Sequence, residues 1–239
     1  MANKTRPFAL VAVDVQRDFC AQDGALMRFL SNSQRASTTE NVQRNIEAAT
    51  DSIARLIEGC RDRAACTVFV RSFFDEKYKL PVVSRQHKLR GLNIVMCPEG
   101  AQGSDFYRIT PNGSDLVVTK HTTDAFLYTP LEAFLRKHCV EEIVLFGFLA
   151  ELCIMDSGRS ALCRGFDVCL AADATAGLND LCVKSSIADM KALGAEISTV
   201  DRVLAKRVRR NAMDQLPLQV RNPVGTPRCR EAGSERPLS

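Results

Sequence analysis

The chain has 239 residues, 46% hydrophobic and 25% charged, with a formal net charge of +4. Those proportions exclude wholesale disorder and fibrous repeats, and the length allows one large domain or one domain with a tail. No apolar run approaches the roughly 18 residues of a membrane span. The basic run AKRVRR (205–210) is too short and too poor in aromatics to mark a nucleic-acid surface; it reads as a solvated helix face or a subunit contact.

FALVAVDV (8–15) is a short, β-rich apolar run that delivers Asp14, Gln16 and Asp18 in quick succession. A buried carboxylate costs free energy unless something pairs with it, so this strand end calls for a cap or for chemistry. After a polar stretch, Val42, Ile46, Ala49, Ile53, Leu56 and Ile57 recur at helical spacing, with Thr38 or Thr39 to cap the start and Gly59 to close the end. CTVFVRSF (66–73) and DLVVTK (115–120) read as strands. Between them, 74–114 carries Pro81, Pro98, Gly100, Gly103, Pro111 and Gly113 without sustained periodicity, which predicts a loop-rich flap. TPLEAFLRKHC is a helix with Pro130 near its first turn, EEIVLFGF a strand, and ELCIMDSGRSALCRG a helix ending at Gly165. FDVCLAAD is the next strand, LCVKSSIADMKALG a helix ending at Gly194, and AEISTV the last strand. Residues 1–207 form the predicted domain; 208–239, rich in Pro, Arg, Ser and Gly, is an extension that is disordered or packs on a neighbouring subunit.

Apolar strands alternating with helices specify an α/β domain whose mostly parallel sheet is covered on both faces. Ligands in such sheets sit beyond the carboxyl ends of the strands. That places Asp14, the Arg71 region, Lys120 and the Gly147–Cys153 segment along one edge.

Ten cysteines without a secretory leader indicate a reducing intracellular compartment, the cytoplasm ahead of the mitochondrion. They form no CxxC pair and the three histidines are scattered, so a zinc site is not expected. Most of the cysteines are small buried hydrophobes. Cys153 differs in its expected place at a helix N-terminus, where unpaired N–H groups and the helix dipole favour a thiolate and Lys120 would lower its pKa further. Asp14 could accept the thiol proton and return it to a leaving amine. Each group also has an ordinary reading: a turn residue for Asp14, a solvated charge for Lys120, a core thiol for Cys153. Their coincidence at strand ends is what favours chemistry.

VAVDVQRDF, VVTKHTTDAF and LFGFLAELCIMDSGRSALCRGFDVCLAADATA, in that order, resemble the isochorismatase-like cysteine hydrolases. That family shows D-x-Q-x-D-F after the first strand, a strand ending in Lys, and a G-x-x-x-x-x-C turn with Arg six residues after the Cys. The resemblance spans about Phe8 to Val200 and implies a doubly wound, six-stranded parallel sheet with helices on both faces. It also implies Asp14 as general base, Lys120 as the orienting cation, Cys153 as nucleophile, and a cis peptide between Phe148 and Leu149. An oxyanion hole from the Leu149 and Cys153 N–H groups follows from it, with Gln16 and Asp18 as supporting residues. Gln16, Phe19, Arg71, Phe126 and Phe148 form the expected substrate-binding set, Arg71 as a carboxylate clamp.

Nicotinamide-cleaving members resemble one another in an Asp-x-His metal motif, whereas VRSFFDEKYKL offers Asp75 and no His beside it. No catalytic metal and no cofactor are therefore expected, and nicotinamide is disfavoured. Isochorismate-cleaving members commonly lack the cysteine, so Cys153 favours attack on an amide, ureido or carbamoyl carbon. Vinyl ether hydrolysis and a catalytically idle scaffold remain the alternatives. FLAEL, bulkier than the family's usual turn, is expected to narrow the pocket; Asp124 stands where a small residue is common; Arg159 is read as a helix residue pairing internally. The resemblance further implies a homo-oligomer, from dimer to octamer; a small-molecule substrate is expected, and the residues themselves predict no nucleic-acid or membrane partner.

Overall fold

The computed structural model describes residues 6–32, 36–74, 77–78, 84–85, 88–89 and 94–214, with the side chains of 36–38 and 208–214 left aside. Six strands, β1 (Phe8–Val13), β2 (Cys66–Ser72), β3 (Leu116–Lys120), β4 (Glu142–Phe148), β5 (Asp167–Ala176) and β6 (Glu196–Ser198), form one sheet in the order β3-β2-β1-β4-β5-β6. Every neighbouring pair is parallel, the doubly wound arrangement expected.

β1 explains why. All six residues of FALVAV are buried, as a central strand covered on both faces requires. Leu10 and Ala12 point into one core and Ala9, Val11 and Val13 into the other, following the two-residue alternation of strand side chains. The first core is closed by α1 (Arg17–Cys20), α2 (Ala25–Asn32), α3 (Ala36–Cys60) and α7 (Val200–Asp214), the second by α4 (Leu131–Lys137), α5 (Met155–Cys163) and α6 (Asp180–Ala192). In α3 the expected stripe is buried, Val42, Ile46, Ile53 and Leu56 each at 1% exposure or less.

Three segments differ from expectation. The polar stretch after β1 folds into α1 and α2: the Arg17 N–H at the start of α1 donates to the Asp105 carbonyl at 2.9 Å, and the buried Asp18 carboxylate accepts the Ala25 N–H at the start of α2 at 3.0 Å and the Cys97 N–H at 2.7 Å. β5 continues through Ala176, three residues past FDVCLAAD. Helix α7 runs across the boundary placed at 207 to Asp214, and Arg207, within the run read as a solvated face, is buried against Glu142 at 2.7 Å. The remaining extension, 215–239, lies outside the described residues, as do Asp75 and Pro81. Of the flap's described residues, Gln102–Ser104 form a 3-10 turn, and the isolated bridges Gln16↔Phe106 and Phe74↔Met96 tie the segment to the ends of β1 and β2.

At the sheet's centre the strand order reverses between β1 and β4, the crevice where open α/β sheets bind ligands. Gly147 lets these two strand ends meet: its φ is +123°, and a Cβ there would lie 2.1 Å from the Val13 carbonyl oxygen. Any other residue would push apart the segments that carry Asp14 and Cys153.

Candidate active site

Asp14 is the first residue beyond β1, and its N–H continues the parallel ladder to the Val70 carbonyl at 2.9 Å. It adopts φ +55°, in the left-handed region where Asp and Asn are over-represented, and this turns its carboxylate off the strand line. Lys120 ends β3. Cys153 lies in a single π-helical turn, Ala150–Ile154, leading into α5. The Phe148–Leu149 peptide upstream is cis, as the resemblance implied.

The three groups converge. Lys120 is fully buried, and its ammonium meets Asp14 Oδ2 at 2.8 Å, Cys153 Sγ at 3.2 Å, Ser72 Oγ at 2.7 Å and the Thr122 carbonyl at 3.0 Å. The Phe74 ring lies 5.1 Å from the same nitrogen. A buried ammonium requires this density of partners. Burial opposes its charge, but Asp14 and then Cys153 outweigh burial and raise the Lys120 pKa.

The surroundings of Cys153 weigh against the expected thiolate. Burial first, and the charge of Asp14 second, push its pKa up; Lys120 pulls the other way without prevailing. The sulfur sits in a π turn with its residue only 3% exposed, and there burial opposes the negative charge that a helix N-terminus favours.

Around these groups the D-x-Q run acts as a brace. The Gln16 side chain donates to the Ser72 carbonyl at 3.1 Å and to the Ser104 carbonyl at 2.9 Å, and accepts the Ser72 N–H at 2.7 Å. It thus pairs with β2 just past the point where β1 ends. The loop after Lys120 is pinned to α5 through Asp124, whose oxygens accept the Phe126 N–H and the Ser160 hydroxyl, both at 2.8 Å, while the Ala125 N–H reaches Ser157 Oγ at 2.9 Å. Those bonds hold the Thr122 carbonyl against Lys120.

Of the expected substrate-binding set, Gln16 is fully buried with its amide engaged as above, and Phe19, Phe126 and Phe148 are core side chains at 3%, 4% and 0% exposure. Arg71 alternates with Ser72 along β2 and so lies on the other face, bonded to Thr119 Oγ1 at 3.0 Å and set over the Phe73 ring at 4.7 Å. Phe148, Leu149 and Ala150 of FLAEL are buried and Leu152 is exposed. Arg159, expected to pair internally, is exposed. His121 stacks on Tyr78 at 4.5 Å and its Nδ1 meets the Phe73 carbonyl at 3.1 Å.

Ser72 and Phe74 were not marked by any motif. Only the β2–β3 register, which sets Ser72 opposite Lys120, brings the hydroxyl to the ammonium. Among the described residues, Glu142, Cys169 and Glu196 form the group with metal-ligand spacing. It lies at the amino end of the sheet, and its carboxylates already face Arg207 and Lys206.

The isochorismatase domain model matches residues 8–202. The chain belongs to the isochorismatase family. It is 32% identical over 130 residues to the secreted isochorismatase effector Isc1 of Verticillium dahliae, covering 54% of this chain and 60% of that protein. The chain thus spans about three-fifths of that relative's length. Identity to the ureidoacrylate amidohydrolase RutB of Cronobacter sakazakii is 25% over 181 residues, 70% of this chain and 73% of that one. The crystal structure of N-carbamoylsarcosine amidase from Thermoplasma acidophilum superposes with a TM-score of 0.64 at 23% identity, covering 82% of this chain and 97% of that chain, which shows a shared fold.

Proposed function

We propose that the chain is a metal-independent cysteine hydrolase that cleaves the C–N bond of a small amide, ureido or carbamoyl compound through a thioester. The observation that carries this reading is one buried ammonium, Lys120, touching both a carboxylate at 2.8 Å and a thiol at 3.2 Å. The names of two similar proteins, an amidohydrolase acting on ureidoacrylate and an N-carbamoylsarcosine amidase, point to the same bond class.

Asp14 Oδ2 faces Lys120, and the Asp14 carboxylate is also within hydrogen-bonding reach of the Cys153 thiol, so it can take the thiol proton. As Sγ bonds to the acyl carbon, its proton passes to Asp14 and the carbonyl π electrons move to oxygen. In this reading the N–H groups of Leu149 and Cys153 meet that oxyanion. Collapse breaks the C–N bond, the leaving amine takes the proton from Asp14, and a thioester remains. Water then gives its proton to Asp14 and its oxygen to the acyl carbon; the C–S bond breaks, the departing thiolate takes that proton back, and the acid and the free thiol remain. Because burial and the Asp14 charge raise the thiol pKa, deprotonation in this reading accompanies the attack itself, with Asp14 as acceptor.

The test is a screen of small amides and ureides for amine release, with Cys153→Ala beside the wild type. Loss of at least about 10³-fold in kcat/KM, together with an acyl adduct mapped to Cys153, is expected. An unchanged rate in Cys153→Ala overturns it. The Verticillium relative, an isochorismatase by name, supports vinyl ether hydrolysis as a second reading. That reaction needs no thiolate, so it would survive in Cys153→Ala with isochorismate as substrate.

A further inference from the structure

We propose that Ser72 is a positioning residue of this site, whose hydroxyl decides which oxygen of Asp14 is left to receive the thiol proton. The inference rests on the cysteine hydrolase reading and extends it to a residue that no motif marks.

The argument begins with donor counting. An ammonium has only donors, so Ser72 Oγ, 2.7 Å from Lys120 Nζ, must accept there. The single hydroxyl proton is then committed to the other neighbour, Asp14 Oδ1, also at 2.7 Å. The chain Lys120 to Ser72 to Asp14 therefore has one direction, and each bond polarises the next. Its effect on the carboxylate is asymmetric. Oδ1 is occupied by the hydroxyl; Oδ2 faces Lys120 and, among the described residues, receives no hydroxyl proton. Without Ser72 the carboxylate could rotate to offer either oxygen to either partner.

The serine is itself held at both ends of its peptide unit. Gln16 bonds its N–H and its carbonyl, and a third bond to the Ser104 carbonyl fixes the orientation of that amide. Ser72 is fully buried and lies in register with Lys120. A hydroxyl needed only to satisfy the lysine would not require this clamp, since the Thr122 carbonyl, Asp14 and Cys153 already meet the ammonium.

Ser72→Thr and Ser72→Val have nearly the same shape and differ in a hydroxyl against a methyl, and both suit a strand. The two variants are compared with the wild type by Cys153 alkylation across pH, by melting temperature, and by crystal structure. We expect Ser72→Thr to keep the wild-type alkylation profile and the Asp14 and Lys120 placement. Ser72→Val should show a shifted profile and a turned Asp14 carboxylate. Coincident profiles and superposable Asp14 and Lys120 side chains in the two variants overturn the proposal, whatever their melting temperatures. If Cys153 proves inert in every protein, the hydrolase reading falls; the crystal structures still decide Ser72, because the carboxylate orientation needs no reaction to be read.

Discussion

At the carboxyl ends of the strands Lys120 and Asp14 pair at 2.8 Å, both with fully buried side chains; at the amino ends Arg207 and Glu142 pair at 2.7 Å, with side chains 2% and 8% exposed. By burial and distance the two are alike, and their surroundings separate them. Lys120 also touches a hydroxyl, a carbonyl and a thiol, two of which can exchange protons. Arg207 stacks on the Phe8 ring at 4.0 Å and has Lys206 beside the same carboxylate at 3.9 Å. With the guanidinium held between that ring and that carboxylate, the pair pins α7 to the sheet. A buried ion pair is therefore no mark of reactivity by itself. What distinguishes the site is a proton with somewhere to go.

Removing one cation from each pair gives the largest contrast. Lys120→Met leaves Asp14 buried without a counter-charge and should lower unfolding free energy by about 3–5 kcal/mol, together with loss of hydrolysis. Arg207→Met should cost about 3 kcal/mol, at the low end of that range because Lys206 remains near Glu142. Denaturant unfolding measures both. Cys153 alkylation should be unchanged in Arg207→Met, and a changed rate there would break the separation of the two pairs.

Asp14→Asn sharpens the proton argument. Asp14's charge is the second cause, after burial, of the raised Cys153 pKa. Taking it away should therefore move Cys153 alkylation to lower pH even as turnover disappears. Movement to higher pH would mean that the carboxylate supports the thiolate instead.

A smaller effect is alkaline loss of stability. Burial pushes Cys66 up to about 11 and Cys169 to about 12, and it also raises Cys20, Cys60, Cys97 and Cys153. A group whose pKa is raised by folding stabilises fully below its unfolded value, about 8.5 for a thiol, and loses that contribution as pH rises through the folded value. Unfolding free energy should thus fall above about pH 8.5, and less steeply in Cys66→Ala combined with Cys169→Ala. A pH-independent unfolding curve to pH 11 would contradict it. The smallest effect belongs to the surface: Arg55 and Asp201 pair with side chains 57% and 75% exposed, and Arg55→Ala should change stability by less than about 1 kcal/mol.

Much of this was legible in the chain. The apolar run of β1 and the stripe of α3 carry local periodicities that survive in any packing, and strand ends bearing Asp14 and Lys120 with Cys153 in the turn after β4 needed no tertiary information to be noticed. Helices α1 and α2 are too short to show a helical period, and α1 is anchored from far along the chain by its Arg17 N–H on the Asp105 carbonyl. Arg71 looked like a site residue by its position at a strand end, yet alternation places it on the opposite face from Ser72.

The residue order by itself determined the alternation of strands and helices, the parallel sheet and the edge on which Asp14, Lys120 and Cys153 lie, because hydrophobic period and strand direction are properties of short segments. Tertiary structure alone decided that β1 and β4 adjoin at Gly147, that Ser72 stands in register with Lys120, and that burial raises the Cys153 pKa. Those outcomes depend on contacts between distant segments and on exclusion of water, and an electrostatic balance among buried groups has no value until the groups have been brought together.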